Sequence, residues 1–588
     1  MKTKIICLLL ALVMLVPVFA SCGDETPVVD NTCTSHVDDN ADGKCDKCKA
    51  KMNTINKCDN HADNNNDGKC DSCGGDMGGE EVVDYPWSNT NIIFQMSLNS
   101  DSGGNPSGSK RYLAGEDLGA VELIDSQISQ RNSEAYDTTK VRVTYDYLPD
   151  TNEYAWGKSI DDIYATVQSQ TTKDAPDIYS NFTYDIVGAS LKTCFANLRS
   201  SAYGANYFEF LDEDYDEATN NRGYMYEFMQ STTLFQQKMY VLASDYFTDL
   251  IRAFFIVPVN VKLLEQVGMG VTGDLTGDGK FTIDDFYAEV EAKKWTYDKV
   301  ASYSDAVYSG SAGAETLNDT IGFAITAGGI AASGLLYTTS ITVIDRGEDE
   351  TGENFNYAYP AADDMTELFD FTEALGDLVN KTGVLVVTDA NTEGYGDNAL
   401  RAIRNQFCAN KVLFGDVINL GALEEDKYQT LKESSGFGVV PVPLYHEIPA
   451  GSNETYLTSI HNNGRPGAIA ANTKNFAQCT AFLNYQSTHS TDILNFYYDY
   501  KLQYDVAGGA DGTVKMLQYI RLNVRSNFDK VIEDAIGVFN ETSSERWHAI
   551  ILAARYDVED MRKEYDNRYE TKTKQLQDLV KLYGILPA

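Results

Sequence analysis

The chain is short of positive charge: 47 lysines and arginines stand against 87 aspartates and glutamates, a formal charge of −40 over 588 residues. Two of the lysines, Lys2 and Lys4, fall in the first 21 residues, so the rest of the chain is near −40 − 2 = −42. Such a surface repels a phosphate backbone and argues against nucleic acid as a partner. Long apolar runs are also missing, because nothing after Cys22 reaches 18 consecutive apolar residues, the length at which a spanning helix is read. Cysteine is scarce beyond residue 84, where only Cys194, Cys408 and Cys479 occur. Three is an odd number, so at most one disulfide or a set of buried thiols is expected, and a large hydrophobic core must hold the body together.

Catalytic signatures are missing as well. There is no Gly-x-Ser-x-Gly and no His-Glu-x-x-His, and His446-Glu447 has no second histidine at zinc-site spacing. Gly279-Lys280 resembles part of a phosphate-binding loop, but Asp274 and Phe281 stand where that loop needs glycine and serine or threonine. The expectation is a protein that is not an enzyme. Two rivals stay open: a secreted surface glycoside hydrolase, since so many carboxylates make some close pair inevitable, and a calcium-dependent adhesin or scaffold.

What is present begins with an address. Lys2 and Lys4 precede an apolar run from Ile5 to Phe19, followed by Ala20, Ser21 and Cys22. The run is too short to cross a bilayer, and small residues bound it at a cleavage point, as in a signal peptide over 1–21. Cys22 is then expected to carry lipid and tether the protein to the extracellular face of the cell membrane.

A 25-residue repeat follows in the segment 22–84. Cys33, His36, Asp38, Asn40, Asp42, Gly43, Cys45, Asp46 and Cys48 recur as Cys58, His61, Asp63, Asn65, Asp67, Gly68, Cys70, Asp71 and Cys73. In each copy Cys-x2-His with Cys-x2-Cys offers zinc ligands (Cys33, His36, Cys45, Cys48; Cys58, His61, Cys70, Cys73), while Asp-x-Asn-x-Asp-Gly offers calcium oxygens. Disulfides between copies are the remaining alternative. With linker from Gly74 to Glu81, the segment is expected to be a stapled stalk.

From about Tyr85 short apolar strands alternate with amphipathic stretches, which predicts an α/β fold. Strands are expected at 91–96, 140–145 and 175–180, with helices at 120–133 and 160–171 between them. Open sheets of this kind bind ligands beyond the carboxyl ends of their strands, which draws attention to Asn181 and Tyr184.

The order of four segments, Ala175 to Ile178, Lys238 to Asp245, Pro258 to Gly268 and Trp295 to Asp298, resembles the extracellular solute-binding proteins of ABC importers, the family 1-like carbohydrate type. A helix from Met365 to Asn380, a helix and strand from Arg404 to Phe414, Gly438 to Pro443 and Gly467 to Ala471 continue the likeness, which covers roughly residues 90–530. Extra segments at 98–118 and 271–290 and a long tail after 530 depart from it. The resemblance implies a two-lobed periplasmic-binding-protein-like (Venus flytrap) fold in the solute-binding domain 85–588. Lobe 1 would span about 85–248 and 455–515, and lobe 2 about 249–454 and 516–588, with crossings near 245–255, 445–460 and 510–525. It implies capture of a solute, an oligosaccharide, and delivery to an ABC permease in the membrane. By the same analogy Asn181, Tyr184, Asp245, Tyr246, Asp416, Asn419 and Arg465 would bind the substrate. Carboxylates and amides match sugar hydroxyls, and aromatic rings match their C–H faces, with Trp156 a further stacking candidate.

One insertion has chemistry of its own. Asp274, Thr276, Asp278, Lys280, Thr282 and Asp285 occupy positions 1, 3, 5, 7, 9 and 12 of a calcium loop, with Gly279 at the turn. The stretch resembles half of a dockerin repeat, and calcium is expected there in a stiffening role.

Overall fold

The computed structural model describes residues 85–583, apart from 99–108, 117–122, 150–153, 155–156, 170–174, 213–222, 234–237, 311–314, 346–356, 425–427, 429, 432–435, 450, 498–510, 526–528 and 534–545. Cys22, both repeats and Trp156 therefore lie outside the described residues. Every element below belongs to the unit Trp87–Ala588.

The first sheet grows from a βαβαβ series: β1 (Thr90–Ser97), α1 (Leu123–Thr139), β2 (Val141–Leu148), α2 (Ile160–Gln168) and β3 (Ile178–Ser180). The three strands are parallel, with β1 between β3 and β2. Spacing explains why α2 forms where it does, because Ile160, Ile163 and Val167 share one buried helical face. After β3 comes α3 (Thr183–Leu191), buried along its whole length.

The chain then leaves this sheet and builds a second one. It contains β4 (Phe255–Asn260), α4 (Val261–Val271), α5 (Ile283–Glu291), α6 (Tyr297–Val307), β5 (Ile321–Thr326), α7 (Gly329–Tyr337), α8 (Thr366–Val379), β6 (Val384–Val387), α9 (Ala399–Cys408), β7 (Val412–Phe414), β8 (Ile418–Asn419) and β9 (Phe437–Val440). Strands β6, β5 and β7 are parallel, and β4 runs antiparallel to β7, β8 and β9. Every residue of β4 is buried, as a strand covered on both faces requires. Local chemistry sets the helix starts: the Asn260 side chain accepts from Leu263 N at 3.1 Å, and Thr282 with Asp285 makes a capping box for α5. Trp295 is fully buried at the centre of this lobe, 4.7 Å from the Phe414 ring and 5.1 Å from the Phe286 ring, and its indole N–H donates to Pro441 O at 3.0 Å.

Afterwards the chain returns to the first sheet. There β10 (Gly467–Ile469) pairs antiparallel with β3, and α10 (Phe476–Thr488) and α11 (Thr491–Phe496) pack against α1. It then crosses once more. Helix α12 (Asp511–Leu522) packs on β9 and α5, α13 (Trp547–Ala553) on α7, and α14 (Val558–Tyr583) on α8. The result is a two-lobed α/β fold in which the chain passes between lobes three times. Through these contacts segment 511–522 belongs with the second lobe.

Lys238 to Asp245 forms isolated bridges, Leu242 with Gly467 and Ser244 with Tyr224, because its neighbours approach at single residues. The three cysteines after residue 84 are free thiols, Cys194 and Cys479 buried and Cys408 partly so. Burial pushes the Cys194 thiol up to about 12, with nearby Lys192 opposing, so it behaves as an apolar side chain.

Candidate functional site

Two of the crossing segments and the stretch that follows α12 lie side by side. Phe255 N donates to Ser459 O at 3.1 Å and His461 N to Ala253 O at 3.0 Å; Thr458 N donates to Asn523 O at 2.8 Å and Arg525 N to Thr458 O at 3.0 Å. Residues 253–255, 458–461 and 523–525 thus form a narrow three-stranded junction, the kind of place where a few dihedral changes swing whole lobes.

The strand directions decide what faces this junction. Strand β4 starts at Phe255, inside the junction, and β7 runs antiparallel to it, so the carboxyl ends of β7 and its parallel partners β5 and β6 point back toward the junction. Strand β10 begins a few residues after the second crossing and runs antiparallel to β3, with Gly467 opposite Ser180. The carboxyl ends of β3, β1 and β2 therefore also lie on the junction side. Two carboxyl edges on the junction side define the site, the location at which open α/β sheets take ligands.

On the first lobe this edge is polar and tightly organised. The Arg465 guanidinium donates to Ser97 Oγ at 2.9 Å, Asn463 O at 2.9 Å and Leu98 O at 3.1 Å, and lies 4.3 Å over the Phe182 ring. Asn181 donates to Ser159 Oγ at 2.8 Å, and Ser159 donates its hydroxyl to Asp185 Oδ1 at 2.6 Å. Asp185 also accepts from the amides of Gly157 and Ser159. Burial raises the Asp185 carboxyl, while those hydrogen bonds and the Arg465 charge pull it back down. Tyr184 opens α3 and rests against Gly157; a Cβ there would meet the Tyr184 ring at 2.7 Å, and φ is +90°. Only glycine fits that approach.

On the second lobe Asp416 follows β7. Its Oδ1 accepts from Thr326 N at 3.1 Å and Val417 N at 2.9 Å, while its Oδ2 is buried with no hydrogen-bond partner among the described residues. Burial pushes this carboxyl up to about 7 against those hydrogen bonds. Beside it, a cavity of about 300 Å³ opens at the carboxyl ends of β5 and β6, lined among others by Thr326, Gly328, Gly329, Thr388, Asp389 and Asn398. Asn419 reaches across the crossing, its Nδ2 3.4 Å from Asn463 Oδ1.

The seven expected ligand residues separate on this geometry. Asn181, Tyr184 and Arg465 gather on the first carboxyl edge, and Asp416 and Asn419 sit at or beside the second. Asp245 and Tyr246 are placed elsewhere, which corrects their expected role. The Asp245 carboxylate is fully buried under the Arg521 guanidinium and Thr491 Oγ1, at 2.9 Å from the latter, so its oxygens are committed within the protein. Tyr246 is a core residue with no exposed surface, edge-on to Phe247 and Phe482, with Arg131 5.0 Å from its ring. The analogy carries Asp245 and Tyr246 to the ligand by their place at the first crossing, where the chain is enclosed. Conversely, Thr326, Gly328, Gly329 and Thr388 had no motif to mark them, and Arg546, whose guanidinium lies 5.1 Å over the Tyr184 ring, sits in the tail that departs from the resemblance.

The insertion loop is held from within. Asp274 accepts from the amides of Gly277 at 2.5 Å, Asp278 at 3.2 Å and Gly279 at 2.6 Å, and Asp278 Oδ1 from Lys280 N at 2.9 Å. Asp285 accepts from Leu275 N, Thr276 N and Thr282 N at 2.7 to 2.8 Å. Burial raises its carboxyl, and the amides outweigh burial and hold it below the ordinary carboxylate range. Among the described residues no three His, Cys, Asp or Glu side chains converge as a metal site. In this arrangement the loop's acids serve its own backbone.

No protein-family model matches the chain, and no curated protein does. Among solved structures it is similar to the GacH receptor of Streptomyces glaucescens, described with acarbose, at 13% identity and a TM-score of 0.44, over 84% of this chain and 99% of that one. A galacto-N-biose/lacto-N-biose I-binding protein of an ABC transporter from Bifidobacterium longum gives 11% identity and 0.44, over 84% and 99%. A family 1 extracellular solute-binding protein from Bifidobacterium longum subsp. infantis gives 12% and 0.43, over 82% and 100%. The strand order and crossings described above, rather than these distant likenesses, carry the fold.

Proposed function

We propose that this chain is the membrane-tethered substrate-binding lipoprotein of an ABC importer. It captures an extracellular solute, an oligosaccharide, between its lobes and delivers it to the permease, held nearby by lipid on Cys22. The observation that supports this most is the pair of polar carboxyl edges on the junction side of two lobes that meet at three hydrogen-bonded segments. A solute that touches the Asn181 edge on one side and the Asp416 and Asn419 edge on the other makes contacts available only when the lobes are together. That differential contact is all a hinge needs in order to close on a ligand.

Binding rather than catalysis is the proposed chemistry. A thermal-shift series with maltotetraose, lacto-N-biose, a peptide and a polyamine, on the mature chain with Cys22 replaced by serine, tests it. One sugar is expected to stabilise the protein by about 2.7 kcal/mol at a hundredfold excess over its dissociation constant, and to be recovered uncleaved. Cleavage of that sugar would assign a glycoside hydrolase instead, and no response to any solute would favour the adhesin or scaffold.

The same proposal gives the 274–285 loop a modest calcium affinity in a stiffening role, because Asp274 and Asp285 would have to share their oxygens between amide donors and the ion. Calorimetric titration with calcium, compared between the wild type and Asp274→Asn, tests it: heat is expected in the first and not the second. For the stalk, zinc, calcium and disulfides are separated by metal analysis and thiol counting on the full chain.

A further inference from the structure

The contacts between lobes beside the crossing segments have a counterpart whose residues are remote from those segments in sequence. Asn419 with Asn463 and Asp245 with Arg521 lie within a few residues of the crossing segments. Tyr184 and Arg546 do not. Tyr184 is in the first turn of α3, just past the carboxyl end of β3, and is 8% exposed. Arg546 is the residue from which α13 starts, and its carbonyl accepts from Ala549 N at 2.9 Å and Ile550 N at 3.0 Å.

Both partners are fixed by their own lobes. Gly157 backs the Tyr184 ring from the first lobe. Arg546 is fixed from the second: Trp547 N donates to Glu533 Oε2 at 3.0 Å, and the His548 ring meets the Tyr337 ring at 5.7 Å on α7, which follows β5. A Cβ at Gly329, which lines the cavity at the end of β5, would stand 3.7 Å from His548 Nε2. The C-terminal arm therefore leads from the carboxyl edge of the second lobe to an aromatic ring on the carboxyl edge of the first.

We propose that Arg546 and Tyr184 form a latch that closes the lobes on one another without a ligand. The inference rests on the two-lobed clamp reading. The guanidinium occupies a face of the Tyr184 ring, so opening the lobes breaks a partly desolvated cation–π contact. The latch favours the closed form before any solute arrives, and a solute that needs the Tyr184 face must displace Arg546 to reach it.

The test needs no solute, so its failure is separable from failure of the receptor reading. Donor and acceptor fluorophores are placed through unnatural side chains at the exposed positions 138 and 381, before the amino ends of β2 and β6, in the mature chain with Cys22 replaced by serine. Single-molecule transfer then gives the open and closed populations. Arg546→Ala is expected to raise the open-to-closed ratio by about two- to thirtyfold, the range a cation–π contact supplies, and Arg546→Lys by less. Tyr184→Phe, which keeps the ring, is expected to hold the latch, and Tyr184→Ala to release it. An unchanged ratio in both alanine variants overturns the proposal, as does equal opening in Tyr184→Phe and Tyr184→Ala. Should Arg546→Ala disturb the docking of α13, seen as loss of amide protection over Trp547–Ala553, the Tyr184 pair decides alone.

Discussion

Arg521, in the last turn of the helix Asp511–Leu522, holds the Asp245 carboxylate by Nε at 2.9 Å and by Nη2, and the pair is 276 residues apart in sequence. Asp245 stands shortly before the first crossing and Arg521 just before the third segment of the junction. The ion pair therefore ties the first crossing to the end of α12 beside the point about which the lobes move.

Removing one partner leaves the other charge buried. Arg521→Ala or Asp245→Asn is expected to cost about 3–5 kcal/mol of unfolding free energy, measured by urea titration. The double variant Asp245→Leu with Arg521→Met, which removes both charges, is expected to recover most of that loss. A double variant as unstable as the worse single would show that pairing is not the source of the stability.

Asp416 makes stability depend on pH in an unusual direction. Burial pushes its folded carboxyl up to about 7 from an ordinary 3.8, so between those values the native chain keeps a proton that the unfolded chain has lost. The unfolded state then binds fewer protons, and this group's contribution to stability falls as pH rises through the window and levels off above 7. Asp416→Asn keeps an acceptor for the Thr326 and Val417 amides and has no charge to bury. Relative to wild type it is expected to gain a few kcal/mol between pH 4.5 and pH 8, since each pH unit inside the window is worth roughly 1.4 kcal/mol. A constant difference across that range would mean that Asp416 ionises normally.

Trp295 shows what a sequence can declare about a lobe. It lies at the start of the segment Trp295 to Asp298, its ring is fully buried against Phe286 and Phe414, and its N–H is satisfied by Pro441 O. Trp295→Ala is expected to cost about 3–5 kcal/mol and to loosen β7 and α5 together, visible as joint loss of amide protection. Loss confined to residue 295 and its neighbours would place the core centre elsewhere.

Legibility followed the range of the forces. The helix face of Ile160, Ile163 and Val167 is written in neighbouring residues, and so is the parallel order that brings Asn181 and Tyr184 to a carboxyl edge. Asp245 is assigned to the ligand by analogy alone, from its place at the first crossing; its partner comes 276 residues later. Likewise Thr326 and Gly328 carry no motif of their own. They matter because β5 and β6 are parallel neighbours, a fact of tertiary pairing.

The C-terminal arm depends on one buried charge pair, and this gives the last prediction. Lys572 Nζ, on the helix Val558–Tyr583, lies 2.8 Å from Glu533 Oε1, with the two side chains 3% and 1% exposed. The other Glu533 oxygen receives the Tyr337 hydroxyl at 2.6 Å and Trp547 N at 3.0 Å, so one carboxylate joins α7, α13 and α14. The ammonium also sits 4.5 Å from the Trp547 ring, which itself stacks on Tyr565 at 4.9 Å. Lys572→Met keeps the stem but removes the charge, leaving the Glu533 carboxylate buried without that cation. The expected result is a loss of about 3–5 kcal/mol for the arm, read as amide exchange over Trp547–Ala553 and Val558–Tyr583, while the first sheet keeps its protection. Glu533→Gln with Lys572→Met should restore most of it, because a neutral amide can still accept from Tyr337 and Trp547. If the single variant instead lowers protection uniformly across both lobes, the arm is an integral part of the fold and not a separately anchored appendage.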